Sequence, residues 1–137
     1  MERIDFINGT TKGNEETFET LQDNIENAIN GIVESGTNDN GEYVKYENGT
    51  LICTKSIAGT ATVKVWNSPI YYTDIENGNW AYPFSSIHNV QITSRTSQFW
   101  TNVDGVTNTS AGKTRLMRPD QYDTQYVVNL FAIGRWK

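Results

Sequence analysis

Residue types that catalyse hydrolytic and transfer reactions are sparse in this sequence. His88 is the only histidine, and a histidine at the start of a predicted strand is typical of an ordinary surface residue rather than the base of a Ser-His or Cys-His pair. Glycosidases need two facing carboxylates. The acids that might supply them lie in predicted loops, where solvated carboxylates are the norm: Asp74, Glu76, Asp104, Asp120 and Asp123. Calcium-loop and phosphate-loop spacings are absent. The sequence therefore predicts no enzyme, no metal site and no cofactor.

Aromatic side chains beside amides and carboxylates are the more distinctive feature. Phe, Trp and Tyr make up 12% of the chain and crowd into VWNSPIYYTDIENGNWAYPF and SQFWTN. An amphipathic ring covers the apolar face of a polar ligand while amides and carboxylates bond its hydroxyls, and carbohydrate fits this description. We expect the ligand contacts to be Trp80, Tyr82, Trp100, Asp104, Asn108 and Arg115. We expect the phenylalanines at 84, 99 and 131 to fill the core instead.

Most of the chain is predicted to form short antiparallel strands that position these residues. EYVKYENGTLICTKSI, residues 42–57, predicts a hairpin with a two-residue type I′ turn at Asn48-Gly49. Further strands are predicted at 60–66, 69–73, 80–84, 88–95, 97–103, 113–118 and 125–136, separated by turn residues. Short strands at regular spacing favour an antiparallel β-sandwich or barrel. We assign a β-sandwich to residues 38–137.

The N-terminal segment, residues 1–37, has a different pattern. A helix is predicted over 14–33, with Asn14 as its N-cap, followed by a flexible linker at 35–41. The predicted apolar seam and oligomer interface consists of Phe18, Leu21, Ile25, Ala28, Ile29 and Ile32. A coiled coil of two heptads is only marginally stable in isolation. The helix therefore either packs on its own domain or joins two or three copies, and its widened stripe favours three.

Composition narrows the possible partners. The chain has 137 residues, a net charge of -5 and a pI near 4.8, with basic residues scattered, so neither nucleic acid nor an anionic membrane is an expected partner. Cys53, the single cysteine, excludes an internal disulfide and is expected to be a small core residue. With no signal peptide or long apolar run, we expect a soluble protein made in a reducing cytoplasm.

Stretches at both ends resemble one group of proteins. INGTTKGNEETFETLQDNIENAI resembles a segment that recurs in tail, baseplate and tail-fibre proteins of phages infecting Gram-positive bacteria. GEYVKYENGTLICTKSI, YPFSSIHNVQIT and the closing VVNLFAIGRWK resemble the small C-terminal domain of the same proteins, which is similar to H-type lectins. The resemblance implies scaffold rather than ligand roles for Gly41, Tyr43, Lys45, Gly49, Cys53, Phe84, Val90, Ala132, Ile133, Gly134 and Trp136. Residues 67–82 and 101–125 depart from the pattern, so it names no ligand contacts there.

The resemblance implies a homotrimer at the phage tail tip that binds sugars at its exposed end. We expect a receptor-binding module, carried in the virion with other tail proteins, that attaches to host cell-surface polysaccharide by the avidity of three weak sites. The alternative is a purely structural component that trimerises and caps the tail without binding saccharide. A depolymerase is a third, less favoured interpretation, because no carboxylate constellation is evident.

Overall fold

The computed structural model describes residues 31–137, in which every regular element is a β-strand. The strands are β1 (Ile32–Asn38), β2 (Gly41–Tyr46), β3 (Thr50–Val63), β4 (Val65–Asn67), β5 (Ile70–Glu76), β6 (Ser86–Ser94), β7 (Trp100–Asp104), β8 (Lys113–Arg118) and β9 (Tyr122–Arg135). The mainly β class predicted from the sequence is confirmed for this part of the chain.

The chain divides into two compact units by its internal contacts. The larger unit comprises residues 34–45 and 49–137, and both surfaces proposed below as binding sites lie in it. Of the smaller unit, residues 31–33 and 46–48 are described. There the Glu47 amide donates a hydrogen bond to the Gly31 carbonyl at 3.0 Å.

A five-stranded sheet has the order β1-β2-β3-β9-β6. Its two longest strands, β3 and β9, have 14 residues each and pair antiparallel along their whole length, from Thr50 opposite Arg135 to Val63 opposite Tyr122. β9 also pairs with β6 close to Gly134, where a Cβ would collide with the Ser86 carbonyl oxygen. Glycine is therefore required at this position.

A four-stranded sheet has the order β4-β5-β8-β7. Lys64 separates β3 from β4, so the chain leaves one sheet for the other at this residue. β5, β8 and β7 pair antiparallel, with Arg115 of β8 between Asp74 of β5 and Asn102 of β7. This register fixes which side chains lie next to each other on each face.

The core lies between the inner faces of the two sheets. Val63 and Val128 of the five-stranded sheet pack in one cluster with Leu116 of the four-stranded sheet, and all three are fully buried. A second cluster joins Leu51, Cys53, Leu130 and Ala132 with Trp80 and Phe84, which lie outside the strands. Cys53 has no exposed surface, so its prediction as a core residue is confirmed.

Two loops, 77–85 and 105–112, cover the end of this second cluster. The amides of Trp80 and Phe84 donate to the carbonyls of Thr109 and Asn108 at 2.9 and 2.8 Å. Asn77 is buried and accepts a hydrogen bond from the Thr114 hydroxyl at 2.7 Å. The bonds of the Trp80 and Phe84 amides satisfy backbone groups that no sheet ladder pairs.

The predicted N-terminal helix lies mostly outside the described residues, but the prediction that it extends to residue 33 is wrong. Ile32 and Val33 begin β1, and Gly31 lies in a turn. Glycine disfavours a helix and the β-branched pair favours an extended backbone. Ile32 is therefore not a helical interface residue. The other predicted interface residues lie outside the described residues: Phe18, Leu21, Ile25, Ala28 and Ile29.

The predicted linker at 35–41 is also wrong. It forms the end of β1, a two-residue turn at Asp39-Asn40 and the start of β2. The Asn38 side-chain oxygen accepts the Asn40 amide at 2.8 Å, which closes the turn. Asn, Asp and Gly suit a tight turn as well as a linker, so composition did not separate the two. The predicted domain boundary at 37/38 falls inside this hairpin.

Three predicted strand features differ in detail. The hairpin over 42–57 is confirmed, but its connection has three residues, 47–49, with Gly49 at a φ of 96°. Residues 60–63 continue β3 instead of starting a new strand. Residues 80–84 form no strand, because they bond to the 105–112 loop and Pro83 lacks an amide for a ladder.

Candidate functional site

The outer face of the four-stranded sheet carries the best candidate surface. Thr114 and Leu116 of β8 are buried, so Lys113, Arg115 and Met117 alternate with them and point away from the core. Directly opposite residues in antiparallel strands share a face. We call this surface the Trp100 face and define it by Val65, Tyr72, Asp74, Trp100, Asn102, Asp104, Arg115 and Met117.

One row of the Trp100 face is apolar and aromatic. The register places Val65, Tyr72, Met117 and Trp100 side by side across four strands. Strands lie about 4.8 Å apart, so the row is roughly 14 Å long. Trp100 has 61% of its surface exposed. A depression of about 160 Å³ adjoins Trp100 and is also lined by Gln98, Met117 and Pro119. The row therefore offers an extended apolar platform to a ligand.

A polar row runs beside the platform. Arg115 donates two hydrogen bonds to Asp74, at 2.7 and 2.9 Å, and its guanidinium lies 3.9 Å from the centre of the Tyr72 ring. The hydrogen bond from Arg115 is the main reason that the pKa of Asp74 lies below its usual value, and it raises the pKa of Arg115 in turn. Asn102, opposite Arg115, is exposed. The row therefore presents a fixed charge pair and an amide to solvent.

Three of the six predicted ligand contacts lie on this face. Trp100 and Asp104 are exposed on β7, and Arg115 lies on the neighbouring β8. Asp104 accepts the amide of Gly105 at 2.8 Å through one carboxylate oxygen. The structure brings these three residues together, and the other three predicted contacts lie elsewhere.

Trp80 lies in the core rather than at a loop rim. It is 3% exposed, its ring meets the edge of Phe84 with centroids 5.9 Å apart, and its indole N–H donates to the Thr107 carbonyl at 3.2 Å. A buried Trp with its N–H satisfied contributes to packing. Trp80 therefore presents almost no surface to a ligand, contrary to its selection as an expected contact.

Tyr82 is half-buried in a polar cluster of the scaffold. Lys45 donates to the Tyr82 hydroxyl at 3.0 Å and to Glu34 at 3.1 Å, and its ammonium lies 4.3 Å from the centres of the Tyr82 and Trp136 rings. The Tyr43 ring packs against the Tyr82 ring, with centroids 5.1 Å apart and planes tilted by 37°. Tyr82 and Trp136 therefore hold the ammonium of Lys45. Tyr43, Lys45 and Trp136 are three of the residues to which the resemblance gave scaffold roles.

Asn108 lies in the 105–112 loop, apart from the Trp100 face. Its side-chain amide donates to the Ser85 carbonyl at 3.1 Å. Its own carbonyl accepts the Phe84 amide, so Asn108 joins the two loops. This gives Asn108 a structural role that sequence position alone did not indicate.

Sequence reasoning missed several residues of the surface. Tyr72, Asn102 and Met117 were not singled out. Asn102 is in phase with Trp100 and Asp104 on β7, and Met117 with Arg115 on β8. Tyr72 lies opposite Met117, and only the strand pairing identifies it. Phe131 was assigned to the core, but it is 38% exposed on the outer face of β9. It is out of phase with the buried Leu130 and Ala132, and that alternation is the signal that identifies it.

Within residues 31–137 the structure gathers no group of three His, Cys, Asp or Glu side chains that could hold a metal ion. The same residues contain no helix long and apolar enough to cross a membrane. His88 is exposed, with its ring 3.3 Å from the Ser86 hydroxyl.

Comparison of the chain with models of protein families, with curated proteins and with solved structures found no match.

Proposed function

We propose that this chain is the receptor-binding module of a phage tail fibre or baseplate tip, and that it attaches to host cell-surface polysaccharide through the Trp100 face. The observation that best supports this proposal is the exposed Trp100 at the end of an aromatic and apolar row, with a fixed Asp74–Arg115 pair beside it. The resemblance at both ends of the sequence supports the phage setting.

The chemistry of the Trp100 face suits a saccharide. Each sugar ring has an apolar face that stacks on an indole or phenol, and hydroxyls that bond amides and charged groups. Arg115 is held by Asp74 and Tyr72, so little of its conformational freedom is lost when a ligand binds. The side chain of Asn102 forms no hydrogen bond within residues 31–137 and is available to a hydroxyl. Binding without bond cleavage is the activity that this arrangement supports.

The homotrimer is part of the proposal. Its predicted helical seam, Phe18 to Ile29, precedes the described residues, and the widened stripe is the sequence feature that favours three copies. Three Trp100 faces on one body would raise the effective concentration of each site and convert weak single contacts into firm attachment.

Two measurements on the purified full chain test the proposal. Light scattering after size-exclusion chromatography gives the absolute mass, and a mass of three chains at several concentrations is expected. Binding to an array of Gram-positive surface polysaccharides is then expected for a subset of glycans.

A trimer that binds no glycan would favour the structural capping component. A monomer would remove the avidity argument. Release of reducing ends from bound polysaccharide would favour the depolymerase.

A further inference from the structure

A second concave surface lies on the outer face of the five-stranded sheet, away from the Trp100 face. We call it the Phe131 groove. It has a volume of about 490 Å³. The register places Glu42, Thr54, Phe131 and Gln91 in one row across β2, β3, β9 and β6, and Ser56, Asn129 and Thr93 in the next row. All of these residues line the groove.

Several polar side chains of the groove are not used by the fold. Within the described part of the chain, no hydrogen bond engages the side chains of Thr54, Ser56, Gln91 or Thr93. The buried Asn129 side-chain oxygen has no hydrogen-bond partner there either. Buried acceptors in proteins are nearly always satisfied, so this oxygen is an acceptor that the fold leaves without a donor. The groove is therefore lined by amide and hydroxyl side chains that form no hydrogen bonds within the described part of the chain.

The charge of the groove favours a neutral or cationic ligand. Glu42 is exposed at one end of the first row. Lys55 lies between Thr54 and Ser56 along β3, so its side chain leaves the opposite face of the sheet. There its ammonium donates to the carbonyls of Asn77 and Asn79, the second at 2.8 Å. The carboxylate of Glu42 is therefore the charge available to a ligand, and anionic groups are disfavoured.

We propose that the Phe131 groove is a second saccharide site, which takes a sugar ring bearing an amino group. The exposed Phe131 ring supports the apolar face of the sugar, the amides of Gln91 and Asn129 bond its hydroxyls, and the carboxylate of Glu42 pairs with the ammonium. The site is independent of the Trp100 face and of the function proposed for it.

The test is a titration of the isotope-labelled full chain, followed by nuclear magnetic resonance, with two matched pairs of probes. The pairs are glucosamine with glucose and galactosamine with galactose. Saturable shifts are expected at the amides of Ser56, Gln91, Thr93 and Asn129, including the side-chain amides. Whichever amino sugar binds more tightly should bind about two- to fivefold more tightly than the neutral sugar of its pair, because an exposed charge pair contributes little free energy. Added salt should reduce that preference.

Two variants with a matched control assign the contacts. Phe131→Ala should weaken binding by about five- to tenfold, because the apolar support is lost. Tyr122→Ala is the control, since Tyr122 lies on the same strand with 39% exposure, roughly 30 Å away along β9. It should bind as the wild type does. Glu42→Gln should remove the preference for the amino sugar and leave the neutral sugar unaffected.

Three outcomes would overturn the proposal: no saturable shifts with any of the four probes, shifts confined to Asn102 and Arg115, or unchanged binding by Phe131→Ala. Shifts at Asn102 and Arg115 alone would still support the Trp100 face as a saccharide site. Shifts in the groove alone would support the second site while counting against the first. The failures of the two proposals are therefore distinguishable.

Discussion

Replacing Trp80 with alanine should remove a large part of the free energy of unfolding, because the indole lies in the core. Truncation of a buried Trp costs about 3–5 kcal/mol. That cost includes the edge contact with Phe84, about 0.5–1.5 kcal/mol, and the hydrogen bond to the Thr107 carbonyl, about 1 kcal/mol. The total free energy of unfolding of a domain of this size is roughly 5–15 kcal/mol. Trp80→Ala should therefore be severely destabilised, and Trp80→Phe should lose only about 1–2 kcal/mol.

Urea unfolding followed by far-ultraviolet circular dichroism measures these changes. Trp100→Ala is the matched control, because 61% of Trp100 is exposed and its loss should change the free energy of unfolding by at most about 0.5 kcal/mol. If Trp80→Ala does not fold, Trp80→Phe still gives a measurable value. A Trp80→Ala protein within about 1 kcal/mol of the wild type would refute the core placement and return Trp80 to the candidate ligand contacts.

Three further predictions concern buried and paired groups. Thr114→Val should lower the free energy of unfolding by about 1–3 kcal/mol, because the buried Asn77 oxygen loses its donor; urea unfolding measures this. The hydrogen bond from Arg115 lowers the pKa of Asp74, so its stabilisation is complete above about pH 4 and is lost as the pH falls through the lowered pKa. Asp74→Asn should flatten this part of the stability profile, measured by urea unfolding at a series of pH values. Cys53 should react slowly with a thiol reagent in the native protein and rapidly in urea, since it is buried and burial raises the pKa of its thiol.

Each of these predictions has a control or a contradicting outcome. Thr62→Val is the control for Thr114→Val, since Thr62 is exposed on β3, and it should leave the free energy of unfolding nearly unchanged. Arg115→Gln should flatten the acid profile as Asp74→Asn does, and the double variant should add little. An unaltered profile in Asp74→Asn would contradict the ion-pair argument. Native labelling of Cys53 at the unfolded rate would contradict its burial.

Local pattern predicted the strands well where alternation and turn chemistry agreed. KTRLMR coincides with β8, and the hairpin around Gly49 is present, although its connection is one residue longer than predicted. Pattern failed where the backbone is paired by loops. WAYPF alternates like a strand, but Trp80 and Phe84 bond to the 105–112 loop, a contact that no short window of sequence contains.

The candidate site was predicted only in part, because strand pairing and loop packing bring its residues together and no short window of sequence contains either. Trp100, Asp104 and Arg115 lie on one face because β7 and β8 pair, and their selection did not use that register. Trp80 and Tyr82 were expected to contact ligand because aromatic rings lie beside polar residues there, but burial depends on what those residues pack against in the fold. Phe131 could have been recognised from its phase in β9, since its neighbours on both sides are buried.

The most direct test of the central claim compares the wild type with Trp100→Ala and Trp66→Ala in equilibrium binding to a surface polysaccharide identified on the array. Trp66 lies in the same sheet and is 56% exposed, but it packs against Tyr71 outside the Trp100 face. We predict that Trp100→Ala weakens binding by at least about tenfold, whereas Trp66→Ala binds as the wild type does. Binding by Trp100→Ala at wild-type affinity would contradict the claim that the Trp100 face attaches the protein to polysaccharide.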